Sequence, residues 1–326
     1  MNFGRNLIIL LFLIGCTTPS GIDQKDVTRV LQKLSSDEML GRQVFTSGNQ
    51  KAATFIAREF AEIGLEPYVG DTSFFQTFED SLALVRAANV FGKREYDPGL
   101  KLSNVVGQIK GKRKDEIVLF SAHYDHIGIK DPVQGDSVCN GANDDASGVT
   151  AVIELARYFK QKGVPERTLI FVAFTAEEIG GFGSRYFSKQ LEPGKVVAML
   201  NIEMIGKVAN KGLNSSWMTG WDKSDLGEIM QDNLKGSNYE LYPDPYPKYR
   251  LFYRSDNATL ARLGVPAHSI STTQIDVDTD YHQVSDEIET LNIENITRTI
   301  QAIAIGTKGI VNGEQTPTRI DTEDVK

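Results

Sequence analysis

The run Thr168-Leu169-Ile170-Phe171-Val172-Ala173-Phe174-Thr175-Ala176-Glu177-Glu178 decides how the rest of the chain is read. Its apolar part, Thr168 to Phe174, is the length of a buried strand, and two adjacent carboxylates follow it directly. Four further runs have the same character: Asn104 to Ile109, Glu116 to Phe120, Val196 to Ile202 and Val265 to Ser271. Helical patterns separate several of them. Between Ala146 and Gln161 the residues Val149, Val152, Ile153, Leu155, Ala156 and Phe159 are apolar, and Gly163 lies just past the end. From Asn49 to Ile63 one face carries Ala52, Ile56, Phe60 and Ile63 before Gly64, and another stripe joins Ile293, Ile296, Ile300 and Ile303. Strands alternating with helices predict an α/β/α sandwich: a mainly parallel mixed sheet with helices on both faces.

Ligands of such sheets gather beyond the carboxyl ends of the strands. The polar residues obey that rule. His123 and Asp125 follow the Glu116–Phe120 run, Glu177 and Glu178 follow Phe174, and Glu203 follows Ile202. Asp144 immediately precedes the helix near Ala146, and His282 lies beyond the last run. His123, Asp144, Glu178, Glu203 and His282 are the imidazole and carboxylate donors that a zinc-type ion accepts. Three carboxylates contribute −3, so two divalent ions and one hydroxide leave the set neutral, whereas one ion leaves surplus negative charge. Two metals fit better than one. Of the other histidines, His126 is expected to face the loop surface and His268 to be a satisfied core residue; Cys139 is expected to be a small buried hydrophobe.

Several ordered motifs resemble the M28 metallopeptidases, co-catalytic zinc aminopeptidases and their relatives. They are Ser121-Ala122-His123-Tyr124-Asp125, Gly141-Ala142-Asn143-Asp144-Asp145-Ala146-Ser147-Gly148-Val149, Thr175-Ala176-Glu177-Glu178, Asn201-Ile202-Glu203-Met204-Ile205-Gly206, Arg254-Ser255-Asp256 and Tyr281-His282. The resemblance covers roughly Asp23 to Ile310. It implies one Zn2+ on His123 and Glu203, a second on Glu178 and His282, and Asp144 bridging them. It also implies Glu177 as general base and Tyr281 as a hydrogen-bond donor to the oxyanion, the alternative for Tyr281 being a packing role. Asp125, two residues after His123, is expected to accept that imidazole's second N–H, and Asp286 to do the same for His282. Two departures stand out: Glu203 occupies a position where aspartate is usual, and Asn257 one where histidine is common. The function implied is removal of amino-terminal residues from peptides. A one-zinc glutaminyl cyclase on the same fold and a non-catalytic peptide-binding lipoprotein are the alternatives.

The amino-terminus narrows the setting. An apolar run from Leu7 to Ile14 is too short to span a bilayer and closes on Leu13-Ile14-Gly15-Cys16, which resembles a bacterial lipobox. The expected organisation is a signal peptide over residues 1–15, a tether over 16–22 with lipid on Cys16, one peptidase domain over 23–312 and a polar tail over 313–326. An ordinary secretory signal with an incidental cysteine is the other reading. The protein is thus expected in the bacterial cell envelope, touching the membrane through its lipid alone. The 43 acidic residues against 35 basic ones, net −8, argue against a nucleic-acid partner. The interval from Phe78 to Leu102 is too short for an inserted protease-associated domain, so Leu82 to Pro98 is expected as a surface excursion. Trp217 to Trp221 and Tyr242 to Tyr253 are candidate pocket walls. The sequence leaves oligomeric state open.

Overall fold

The computed structural model describes residues 21–68, 70, 72–92, 99 and 101–325. Cys16, with the signal peptide and most of the tether, lies outside the described residues. Eleven strands are present among these: β1 (Glu66–Pro67), β2 (Phe75–Phe78), β3 (Leu102–Ile109), β4 (Arg113–His123), β5 (Gly128–Val133), β6 (Asp136–Cys139), β7 (Arg167–Phe174), β8 (Val196–Ile202), β9 (Ser215–Met218), β10 (Glu240–Pro243) and β11 (Ala267–Ser271). The principal helices are α1 (Gln24–Leu34), α2 (Ser47–Ile63), α3 (Ser81–Phe91), α4 (Gly148–Gln161), α5 (Phe182–Ser188), α6 (Leu226–Asn233), α7 (Asn257–Ala261), α8 (Ile293–Gly306) and α9 (Lys308–Val311).

The main sheet runs β1-β3-β7-β4-β8-β11-β9-β10, with β2 added on β3. Its centre, β7-β4-β8-β11, is parallel, while β3 and β9 join antiparallel on either side. The alternation of β4 and β7 explains the two layers. Val118, Phe120, Ala122, Leu169, Phe171 and Ala173 enter the core beneath α1, α2, α4, α6 and α8. Their neighbours Ile117, Leu119, Ile170, Val172 and Phe174 enter the other core, against α5 and α7. Buried on both faces, these strands read as unbroken apolar runs.

Local signals set the helix ends. Asp23 caps α1 through a side-chain bond to Lys25 N, and Gly64 ends α2 in the left-handed conformation that glycine tolerates best. The expected helix from Ala146 starts at Gly148, because Ala142–Ser147 forms a wider irregular turn first. Gly148 is required there: a Cβ would lie 2.2 Å from the Ile202 carbonyl oxygen. The absent side chain lets α4 abut the end of β8.

Two further segments gain detail beyond their sequence reading. The 82–98 excursion begins as α3, whose Ala83 and Ala87 are buried while Leu82 and Val85 are exposed; residues 93–98 are outside the described set. The polar tail from 313 is docked through its described part. Ile320 and Val325 join the second core, and Arg319 donates to the Val196 carbonyl. Its few apolar residues are enough to bind it, although its composition is polar.

Candidate metal centre

The parallel strands deliver their polar ends to one edge. His123 is the last residue of β4, Glu203 follows β8, and Glu177 and Glu178 follow β7. Asp144 comes from the turn before α4, and His282 from the loop beyond β11. His123 Nε2 is 3.2 Å from Asp144 Oδ1 and 3.2 Å from Glu203 Oε1. His282 Nε2 is 3.1 Å from Asp144 Oδ2 and 3.1 Å from Glu178 Oε2. The five expected donors therefore form two clusters, and Asp144 turns one oxygen toward each.

These separations match a metal. Four ligands about 2.0–2.1 Å from a zinc ion stand roughly 3.3 Å apart along the tetrahedral edges. The electrostatics agree. Burial disfavours a charged His282, yet Asp144 and Glu178 carry its pKa up to about 10. Burial also opposes charge on Glu178, but His126 and His282 bring its pKa down to about 2. The carboxylates thus demand positive charge between them, and His282 Nε2 has no hydrogen-bond partner there. The residues fit divalent ions.

Three buried acids and one buried arginine hold the site-forming loops. Asp125 does not receive the His123 N–H on its carboxylate: His123 Nδ1 lies 3.1 Å from the Asp125 carbonyl oxygen and 3.9 Å from its carboxylate. The Asp125 carboxylate accepts the backbone N–H groups of Glu177 and Glu178 instead. Asp286 likewise bonds Asn143 N and Asp144 N at 2.8 and 3.0 Å, with no bond to His282. Both roles moved for the same reason. Loop amides shielded from water near a sheet edge need protein acceptors, and a nearby carboxylate supplies two. Asp145 does the same for His123 N, Gly148 N and Met204 N. Arg42 supplies the opposite polarity: fully buried, it donates to the carbonyls of Leu34, Tyr124, Asn140, Gly141 and Asp144.

His126 is the principal correction. It is 0% exposed, and its Nδ1 lies 2.8 Å from Glu178 Oε1 and 3.8 Å from Asp144 Oδ2. His126, Asp144 and Glu178 form one candidate metal-binding group; His123, Asp144 and Glu203 form another. The chain turns inward after β4 because His126 N bonds the Arg42 carbonyl and Gly141 leaves space for the ring. The other two bland readings hold: His268 is buried with Nδ1 near the Thr219 carbonyl and Nε2 near Ser224 Oγ, and Cys139 is buried beside Ile127 and Val284. Asn257 bonds the carbonyls of Phe252 and Ala267 and accepts from Ser269 Oγ, tying α7 to β11.

A cavity of about 70 Å3 opens beside the clusters, reached by Glu177, Trp217, Leu251, Arg254, Ile275 and Tyr281 among others. Trp217 and Leu251 come from the two stretches expected to supply walls. Tyr281 stacks on His282 with ring centres 3.9 Å apart.

Comparison with known families decides the affiliation. Residues 104–305 match the family described as Peptidase family M28. The chain belongs to that family. This M28 chain is 38% identical over 110 residues to a probable zinc metalloprotease from Pyricularia oryzae, covering 33% of the chain and 22% of the relative. It is 29% identical over 231 residues to leucine aminopeptidase 1 of Arthroderma gypseum, covering 64% and 58% respectively. The matched regions span less than two thirds of these relatives' lengths. Among solved structures, BSAP, a zinc aminopeptidase from Bacillus subtilis, aligns with a TM-score of 0.70 at 16% identity, over 94% of this chain and 99% of that one. Porphyromonas gingivalis glutaminyl cyclase aligns with a TM-score of 0.64 at 16% identity, over 89% and 99%. Aminopeptidase and cyclase thus share this fold, and their distinction rests with the site. Among the described residues, no helix is long and apolar enough to cross a membrane.

Proposed function

We propose that this M28 chain is a two-zinc aminopeptidase that trims peptides in the bacterial cell envelope, held there by lipid on Cys16. The single observation that carries the reading is the division of Asp144, whose Oδ1 faces His123 and whose Oδ2 faces His282. His123 and Glu203 would hold one ion, Glu178 and His282 the other. Zinc bound there supplies Lewis acidity, polarising the scissile carbonyl and lowering the pKa of the attacking water.

The chain's own residues do the remaining work. Glu177 lies at the cavity wall, and no side chain bonds its carboxylate among the described residues. Burial pushes its pKa well above the usual carboxylate range, with Glu203 and Asp256 adding to the rise. A carboxylate so tuned takes a proton from water and delivers it to the leaving amine. Tyr281 lines the same wall, and burial keeps its hydroxyl protonated and so able to donate to an oxyanion. Such a donor supplies about 3 kcal/mol of transition-state stabilisation. Met204, Trp217, Leu251 and Ile275 give the cavity apolar contact area for a substrate side chain. The relative named leucine aminopeptidase 1 supports the choice of the amino-terminal end.

Glu177→Gln tests the assignment. It should lower turnover of peptides with a free amino-terminus by about 10²–10⁴-fold while leaving two zinc ions per chain. Undiminished turnover would remove Glu177 from the mechanism. One retained zinc with cyclisation of glutaminyl peptides would instead assign the chain to the cyclase activity.

A further inference from the structure

Among the buried side chains that the proposed mechanism leaves unused is His126. Its Nδ1 lies 2.8 Å from Glu178 Oε1, within the range of a charge-assisted hydrogen bond. The other oxygen, Oε2, is the one 3.1 Å from His282 Nε2. His126 therefore occupies one side of the Glu178 carboxylate and leaves the opposite side facing the metal cluster.

The tautomer follows from burial. His126 Nε2 is buried and without a hydrogen-bond partner among the described residues. Were Nδ1 to ligate a metal, Nε2 would carry the proton, leaving a buried N–H donor unsatisfied. With the proton on Nδ1 and donated to Glu178, only an acceptor lone pair goes unfilled. Buried unpaired acceptors are the more readily tolerated of the two. The 3.8 Å separation of Nδ1 from Asp144 Oδ2 also places it farther from the bridging oxygen than His282 Nε2 is, at 3.1 Å.

The first cluster repeats the device with different residues. Glu203 Oε1 faces His123, while Oε2 accepts from Ser255 Oγ and from Asn201 Nδ2. Each glutamate beside the bridge thus has one oxygen engaged by protein donors and the other turned to an imidazole of its cluster.

We infer that His126 is a positioning residue for the second metal, donating its Nδ1–H to Glu178 so that Glu178 offers a single oxygen to the ion. Gly141 makes room for the arrangement, since a Cβ there would lie 2.5 Å from His126 Cδ2. This role rests on the two-metal reading, and metal counting separates the two.

The experiment titrates metal-free wild type, His126→Ala and His126→Asn with Zn2+ against a competing chelator, counting bound ions by mass spectrometry and checking folding by circular dichroism. An asparagine amide places an N–H donor near the position of Nδ1 but is a poor zinc ligand. The expected result is two ions in wild type, a 10–100-fold weaker second site in His126→Ala, and affinity within a few-fold of wild type in His126→Asn. If His126→Asn binds as weakly as His126→Ala while remaining folded, or if neither weakens the second site, the positioning role is wrong. If either variant fails to fold, the other decides; if both do, His126 is a packing residue and the inference is overturned. A wild type that binds fewer than two ions would overturn the two-metal reading itself.

Discussion

The two clusters that meet at Asp144 place their histidines on different kinds of backbone. On one side His123 ends β4 and Glu203 follows β8, neighbouring parallel strands whose register aligns Ser121 with Asn201. On the other side His282 rides a loop, is 30% exposed and has a positive φ of 60°. Its carbonyl is tied down by Lys130 Nζ at 2.6 Å, from the β5 hairpin. A strand-borne ligand inherits its position from the sheet, so it fails when the fold fails. A loop-borne ligand depends on a few local contacts and fails by itself.

The strongest way to break this contrast is at Arg42. It holds the carbonyls of Tyr124, Gly141 and Asp144 together, and its loss leaves several buried acceptors unpaired. Arg42→Met should lower unfolding free energy by on the order of 3 kcal/mol and weaken both zinc sites. Urea unfolding combined with zinc counting checks it. Weakening confined to the loop side would show that the strand side does not depend on this arginine.

A third histidine sharpens the contrast from outside the site. Burial lowers the pKa of His268 from the ordinary 6.5 to about 4. Below pH 6.5 the unfolded chain binds a proton that the folded chain refuses until near pH 4. Folding stability attributable to His268 should therefore fall by about 1.4 kcal/mol per unit as pH drops through that window. His268→Gln should flatten the difference between unfolding free energies measured at pH 7 and pH 5. Identical slopes in the two proteins would count against a neutral buried ring.

The smallest effect is expected at Lys130. Lys130→Ala should leave melting temperature nearly unchanged and weaken the second zinc site by about fivefold, near 1 kcal/mol. Competition with a chelator measures it. An equal loss at both sites would erase the distinction between strand-borne and loop-borne ligands.

Much of this was legible in sequence because strands buried on both faces leave unbroken apolar runs, and the residues just beyond them carry the chemistry. That is how β4, β7, β8 and β11, and with them His123, Glu178 and Glu203, could be placed. The supporting contacts were less legible. Asp125 and Asp286 stand two and four residues from an imidazole, but spacing does not reveal that their carboxylates turn to loop amides. His126 carried one signal, its spacing of three residues from His123, which the expectation of an outward loop outweighed. Arg42 lies 81 residues before His123 with no local mark, because its partners are backbone carbonyls and carbonyls leave no trace in composition.

The shared carboxylate of Asp144 has one more consequence. On the two-zinc proposal, a residue serving both ions could not adjust to one without disturbing the other, so their affinities would be coupled. Thermodynamics requires that coupling to be reciprocal: whatever factor the first ion imposes on the second, the second returns to the first. Stepwise zinc uptake should therefore give one coupling energy whichever site fills first, and Asp144 would then carry communication between the ions as well as ligate them.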